Sequence, residues 1–214
     1  MSYELGIAEV GPAEYPLLEV LRETIFGEVG HRSLTPFAEI LEGRRDVLTL
    51  IAYLEGNPIG FKVGCGDPHG DYHSRSGGVL KDYRRLGLGR RMRDWQHQFA
   101  ASRGYKRIFF NTFNHFPEML LFALSSGFHP IAAEWRELDA MSFKFVKNLQ
   151  DVPIELNPAE ARSPIPAGDR LEVDHRDIAR LHHYVSEGFH LTGIRHDPIA
   201  RRVFVIVERP IALI

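Results

Sequence analysis

The stretch Val79-Leu80-Lys81-Asp82-Tyr83-Arg84-Arg85-Leu86-Gly87-Leu88-Gly89-Arg90-Arg91 decides how this chain is read. Two glycines and five arginines (Arg84, Arg85, Arg90, Arg91, Arg93) stand where an extended segment gives way to helical spacing. Leu88, Met92, Trp95 and Phe99 recur at i, i+4, i+7 and i+11, which predicts a helix from Leu88 with Gly104 as its stop. Gly87 and Gly89 carry no Cβ, so the backbone can turn sharply and let a bulky anion reach its N–H groups. A helix start adds unpaired donors and partial positive charge, and guanidinium groups add charge-assisted bonds. The stretch therefore predicts a phosphate cradle. A dinucleotide fingerprint needs a third glycine where Met92 stands, and a nucleoside-triphosphate loop needs a Gly-Lys-Ser/Thr run that is absent. The alternative is a solvated basic helix with a glycine-bearing entry turn.

Composition narrows the partner. The 214 residues are 44% hydrophobic and 25% charged, enough for one full core plus an appendage. A net charge of −2 makes the basic run a local feature, which argues against a general nucleic-acid binder and for one compact polyanion. Cys65 is the only cysteine, so a disulfide framework and a cysteine-based zinc cluster are excluded. It alternates with Ile59, Phe61 and Val63 and reads as a small buried hydrophobe. The N-terminus has no basic leader and nowhere are there about 18 consecutive apolar residues, so a cytoplasmic protein without a membrane partner is expected.

Upstream of the cradle, residues 5–10 predict a strand, 16–26 a helix carrying Leu17, Leu18, Leu21 and Ile25, and 36–43 a second short helix. Residues 47–54 and 59–65 predict a hairpin around Glu55-Gly56-Asn57-Pro58, and 72–80 the strand entering the glycine turn, with Gly77-Gly78 marking a bulge or a close approach. Asp67, His69, Asp71 and His73 gather titratable groups but match no metal-ligand spacing, nor do His182, His183, His190 and His196; no metal site is expected. Residues 108–112 predict a strand, 117–126 a helix closed by Gly127-Phe128, and 129–138 with 141–149 a hairpin. Four prolines in 152–168 predict a linker or wrapping segment. Beyond it, 171–173, 177–186 and 203–207 predict a strand, a short helix and a strand.

The Arg-x-x-Gly-x-Gly run between a strand ending near Val79 and an amphipathic helix, followed by strand, helix and Gly127-Phe128, resembles the acyl-CoA-binding half of the GNAT superfamily of N-acetyltransferases. The resemblance covers about residues 3–150. It implies an α/β fold with a mixed, mostly antiparallel central sheet flanked by helices and splayed between its fourth and fifth strands. It also implies a catalytic domain over 1–150; beyond the resemblance, the residues themselves predict a proline-rich linker or wrapping segment over 151–168 and a small α/β extension over 169–214 that packs on that domain or on a second subunit of a homodimer.

By the same resemblance the donor is acetyl-CoA and the acceptor an amine of a small molecule, peptide or protein, with no metal. The pantetheine arm would pair with the backbone at Val79, as an added strand does. Arg84, Arg85, Leu86, Gly87, Leu88, Gly89 and Arg90 would surround the pyrophosphate. Asn114 lies near the place of an asparagine usual in the family, although Phe116 holds the expected register. Histone-type members keep a glutamate eleven residues before the first motif residue; here that position is His73, whose ordinary pKa of about 6.5 suits a general base. Many members place a tyrosine four residues before the glycine of the Gly-Phe pair, and here Ala123 stands there, so Ser125, a water or another tyrosine would have to protonate the sulfur. Glu23, Glu28, His31 and Arg32 border the acceptor pocket on this reading. A CoA-binding sensor with little turnover and a local RNA contact through the arginine helix are the other readings.

Overall fold

The computed structural model describes residues 4–27, 35–113, 116–136, 140–150 and 170–209. Glu28, His31, Arg32, Asn114 and the proline-rich segment 151–168 lie outside the described residues. The packing divides into two compact units, Met1–Ile108 and Phe109–Ile214. The elements are those of the expected class: mostly antiparallel strands flanked by helices.

In the first unit β1 (Leu5–Glu9), β2 (Leu48–Leu54), β3 (Asn57–Gly66) and β4 (Tyr72–Val79) pair antiparallel in that order. The β2–β3 hairpin turns on two residues, not the four predicted. Glu55 (φ 51°) and Gly56 (φ 79°) are both left-handed, the twist that a tight hairpin requires, and Asn57 and Pro58 already belong to β3. One face of these strands packs on α1 (Tyr15–Phe26) and α2 (Phe37–Leu41). Leu18, Leu21, Phe37, Leu41, Ile51, Phe61, Val63 and Cys65 form that core, each large side chain contributing roughly 1.5–3 kcal/mol of burial. Glu19 ties the two helices together: its carboxylate accepts the Phe37 N–H at 2.5 Å, one of the donors that a helix start leaves without an intrahelical partner.

Helix α3 (Leu88–Ser102) carries four buried residues, Leu88, Met92, Gln96 and Ala100, and packs against β2, β3 and β4. The predicted stripe is half right. Trp95 is exposed and Gln96 is 1% exposed in its place, because Gly64 leaves room for it: a Cβ there would sit 2.4 Å from the Gln96 amide nitrogen. Gly104 (φ 86°) ends the helix as predicted. The chain then returns through Tyr105, whose hydroxyl donates to Asp46 at 2.7 Å, and Arg107, which grips the Asp71 carboxylate with two bonds of 2.8 Å. Burial first, and the bond to Asp46 second, push the Tyr105 phenol up to about 12.

The second unit holds most of β5 (Arg107–Phe113), then α4 (Pro117–Ser125), β6 (His129–Arg136) and β7 (Ala140–Asn148), with β7 between β5 and β6. The tail supplies β8 (Arg170–Asp174), α5 (Ile178–Ser186), β9 (His190–Asp197) and β10 (Arg202–Glu208), with β10 between β8 and β9. Strand β9 was not predicted, because His190 to Asp197 is mostly polar and only Leu191 is buried.

These two sets of elements are the same motif written twice. Strand end, helix, left-handed glycine, buried phenylalanine and following strand recur at a constant separation of 61 residues: Phe113 and Asp174, Pro117–Ser125 and Ile178–Ser186, Gly127 (φ 74°) and Gly188 (φ 83°), Phe128 and Phe189, His129–Arg136 and His190–Asp197. The hydrogen bonds repeat as well, Phe128 N–H to the Ala123 carbonyl at 3.0 Å and Phe189 N–H to the Tyr184 carbonyl at 2.9 Å. Even the irregularity is kept: Ile131 and Thr192 are each the extra residue where the register shifts. The Ser-x-Gly-Phe-His pattern at Ser125–His129 and Ser186–His190 is its trace in the sequence. Strand β6 of the first copy lies alongside β9, its counterpart in the second.

Lys62 is the charged residue least expected from the pattern. It lies between β2 and β4 in the middle of β3, its ammonium donates to Ser74 Oγ at 2.7 Å, and burial lowers its pKa to about 8. A folded-state pKa below the unfolded value means that the charged form is disfavoured in the fold, so stability rises as pH increases from about 8 to 10.5. Lys62→Met is expected to stabilise the protein by about 1–3 kcal/mol at pH 7, a tenfold change in proton affinity being worth about 1.4 kcal/mol, with the gain fading above pH 8. Thermal melts of both proteins from pH 6 to 10 check this.

Candidate active site

The cradle begins where β4 stops. Leu80 N–H still bonds to the Ile59 carbonyl (2.9 Å), a short 3-10 turn covers Lys81–Tyr83, and Arg84 N–H closes it on the Lys81 carbonyl at 3.3 Å. Arg84 is then extended (φ −70°, ψ 162°), Arg85 left-handed (φ 68°), and Gly87 left-handed (φ 77°, ψ 0°) as the cap of α3. A non-glycine residue at φ 68° is disfavoured by roughly 1–2 kcal/mol, and such strain concentrates where backbone groups are aimed at a ligand.

The first backbone bond of the helix runs from Arg91 N–H to the Gly87 carbonyl at 3.0 Å. The N–H groups of Leu88, Gly89 and Arg90 therefore have no helical acceptor and head the positive end of a 15-residue helix. Arg84, Arg85, Leu86, Gly87, Gly89 and Arg90 are exposed around them, while Leu88 is buried and pins the turn to the core. The Arg84 side chain turns back, its Nε donating to the Val79 carbonyl at 3.1 Å, and so fixes the turn to the last residue of the strand. The two glycines do different work. Gly87 is needed for its backbone angle; Gly89 is helical, and a Cβ there would meet nothing within 4 Å.

Strand β4 carries a bulge at Arg75, the residue without a partner between the pairs Val63–Ser76 and Gly64–Ser74. The bulge is not at Gly77-Gly78, which the sequence left open as a bulge or a close approach. Those glycines are there because both faces of the strand are crowded: a Cβ on Gly78 would sit 2.8 Å from Ile25 of α1, and one on Gly77 would sit 2.7 Å from the Lys62 stem. His73 pairs with Cys65 across the ladder and so shares the face that Cys65, Phe61 and Val63 turn toward α1 and α2. It lies about 20 Å along the strand from Val79, at 3.3 Å per residue.

Other residues singled out in the sequence are occupied structurally. Asp67 accepts the N–H groups of His69 (2.9 Å) and Asp71 (3.1 Å), and Asp71 holds Arg107. Cys65 is 1% exposed and burial pushes its thiol up, which leaves it inert. Ala123 is fully buried and offers no hydroxyl, and Ser125 Oγ donates to the Phe122 carbonyl at 3.1 Å. Arg85's backbone, Gln96 and Lys62 were not legible in advance, since each depends on partners distant in sequence.

A glycine-capped helix start at the end of a bulged strand, in a mostly antiparallel α/β fold, is the arrangement expected of an acyl-CoA transferase. A family model described as the acetyltransferase (GNAT) family matches residues 15–128, more than half of the chain. The chain belongs to that family, whose reaction moves an acetyl group from acetyl-CoA to an amine. No curated protein matches it in sequence. Among solved structures, a GNAT-family acetyltransferase from Staphylococcus aureus Mu50 is similar at 18% identity and TM-score 0.57, over 69% of this chain and 100% of that one. A Bacillus anthracis protein crystallised with acetyl coenzyme A is similar at 18% identity and TM-score 0.56, over 68% and 99%. The Escherichia coli ribosomal-protein-S18-alanine N-acetyltransferase is similar at 15% identity and TM-score 0.57, over 72% and 99%. Among the described residues no helix is long and apolar enough to cross a membrane.

The different duties of the two glycines give a separable outcome. Gly87→Ala is expected to lose about 1 kcal/mol of stability from its left-handed angle. Gly89→Ala is expected to melt at the wild-type temperature or slightly above it, yet to weaken CoA at least tenfold. Calorimetric titration beside a thermal melt distinguishes the two.

Proposed function

We propose that the pyrophosphate of acetyl-CoA binds at the start of α3, on the N–H groups of Leu88, Gly89 and Arg90, with Arg85 and Arg90 as side-chain partners. The observation that carries this is the set of unpaired helix donors presented by left-handed Arg85 and Gly87. Arg84 acts by fixing the Val79 carbonyl, and the pantetheine arm runs along β4 from Val79 toward the bulge at Arg75. Asn114 belongs to the same proposed set. Residues 1–150 are the acyltransferase domain on this reading, which fits the similar proteins that are covered nearly end to end by about two thirds of this chain. Residues 169–214 are its extension.

In the reaction the amine nitrogen attacks the thioester carbonyl, the C–S bond breaks, the ammonium proton leaves and the thiolate takes a proton. His73, on the face shared with α1 and α2, is the proposed base for the amine. With Ala123 buried and without a hydroxyl, sulfur departure relies on positioning and on backbone donors. Ala123 also supports the second reading, a CoA-binding sensor with little turnover.

Thiol release from acetyl-CoA with a panel of amines separates the two readings: sustained turnover is expected, and binding without turnover would establish the sensor. His73→Ala is expected to lower kcat/KM at least tenfold at about pH 7–8, where a neutral imidazole coexists with a protonated amine, and progressively less at higher pH as free amine becomes abundant. An unchanged pH–rate profile would remove His73 from the mechanism.

A further inference from the structure

The second copy of the motif has kept the backbone of the first and changed its side chains in one place. A cleft of about 510 Å³ lies between α5 and its strands, lined by Arg170, His183, Tyr184, Glu187, Phe189 and Arg209 among others. At the matching positions 61 residues earlier the first copy has Phe109, Phe122, Ala123, Ser126 and Phe128, and the residue matching Arg209 by strand register is Lys147. There the site is closed: Ala123 is 0% exposed, Ser126 5% and Phe128 6%. Only the phenylalanine is shared, and Phe189 is as buried as Phe128, at 5%; the change lies in the positions around it. An apolar, filled position in one copy has become a polar, open one in the other.

The replacements form a coherent set. Phe189 and Tyr184 make an aromatic wall, with ring centres 5.1 Å apart, and His183 adds a third ring 5.4 Å from Tyr184. The Arg209 guanidinium lies over the Phe189 ring at 4.8 Å, leaving its fork of N–H groups at the rim. Arg170 stands at the other side, loosely paired with Glu208 at 3.7 Å. Arg180 donates to the Tyr184 hydroxyl at 3.3 Å, so that hydroxyl accepts from Arg180 and its own proton remains to be donated.

We propose that this cleft is a second binding site, taking a small carboxylate that carries a flat apolar group. The carboxylate meets Arg170, Arg209 and the Tyr184 hydroxyl, and the apolar body lies against the accessible rings of Tyr184 and His183, Phe189 being buried behind them. The start of α5 has no glycine before it and is already capped, the Asp177 side chain accepting the Arg180 N–H at 3.2 Å, so the tail motif holds no second pyrophosphate cradle and the ligand is smaller than a CoA thioester. A volume of about 510 Å³ suits a molecule of that size. The inference is independent of acetyl transfer and stands or falls without it.

The test is a titration of the full-length, isotope-labelled chain with phenylacetate, followed by amide NMR. Saturable shifts confined to residues 171, 183–189 and 209 are expected, with the neutral phenylacetamide and inorganic phosphate each at least tenfold weaker. Arg209→Gln and Arg170→Gln are each expected to weaken phenylacetate at least fivefold, while Arg201→Gln, outside the cleft, changes nothing. Absence of saturable binding, equal binding of phenylacetamide or phosphate, or shifts elsewhere would overturn the proposal. The comparison of the three probes decides it even where an arginine variant fails to fold.

Discussion

The left-handed turn at Arg85 and Gly87 is the constraint on which this site depends. An antiparallel strand must end and a helix begin within a few residues, and the first N–H groups of that helix must be left free. Gly87 makes the reversal at little steric cost, Arg84 fastens the turn to the Val79 carbonyl, and buried Leu88 anchors it below. Without that geometry the arginines would be only a charged helix end. With it, they surround helix-start donors that have no helical acceptor, which on the proposed reading the pyrophosphate completes.

The rest of the first unit holds β4 in place beneath this turn. One face is pressed by α1 at Gly78, the other by the Lys62 stem at Gly77, and the strand's beginning is tied through Asp71 to Arg107. A bulge at Arg75 shifts the side-chain alternation, so His73 faces α1 and α2 while Val79 does not share its face. The half-buried Lys62 and Gln96, whose two amide atoms have no hydrogen-bond partner among the described residues, weaken this region relative to an apolar one. Natural folds tolerate such losses near functional sites because local packing elsewhere compensates.

Much of this was legible in the sequence, for identifiable reasons. The cradle is local: glycines, arginines and helical spacing lie within about fifteen consecutive residues. Hydrophobic periodicity found α1, the β2–β3 hairpin and β10, most of whose apolar residues are buried or half-buried. Strand β9 was missed because its stability comes from pairing with β10 rather than from its own pattern. The motif duplication was visible only as Ser-x-Gly-Phe-His, since burial had conserved Phe128 and Phe189 while the cleft positions had diverged.

The sequence by itself determined the glycine turn at Gly87, its charge and, apart from β9, the order of elements, because those follow from backbone preferences of neighbouring residues. Tertiary structure alone decided that Gly77 and Gly78 serve packing, that Lys62 is half-buried between β2 and β4, that Gln96 displaces Trp95 from the helix face, and that the tail repeats the strand–helix–hairpin before it. Each of these depends on distant segments sharing one volume, where a single Cβ at Gly64 or Gly78 would collide with its neighbour. Spacing along the chain carries no record of that contact.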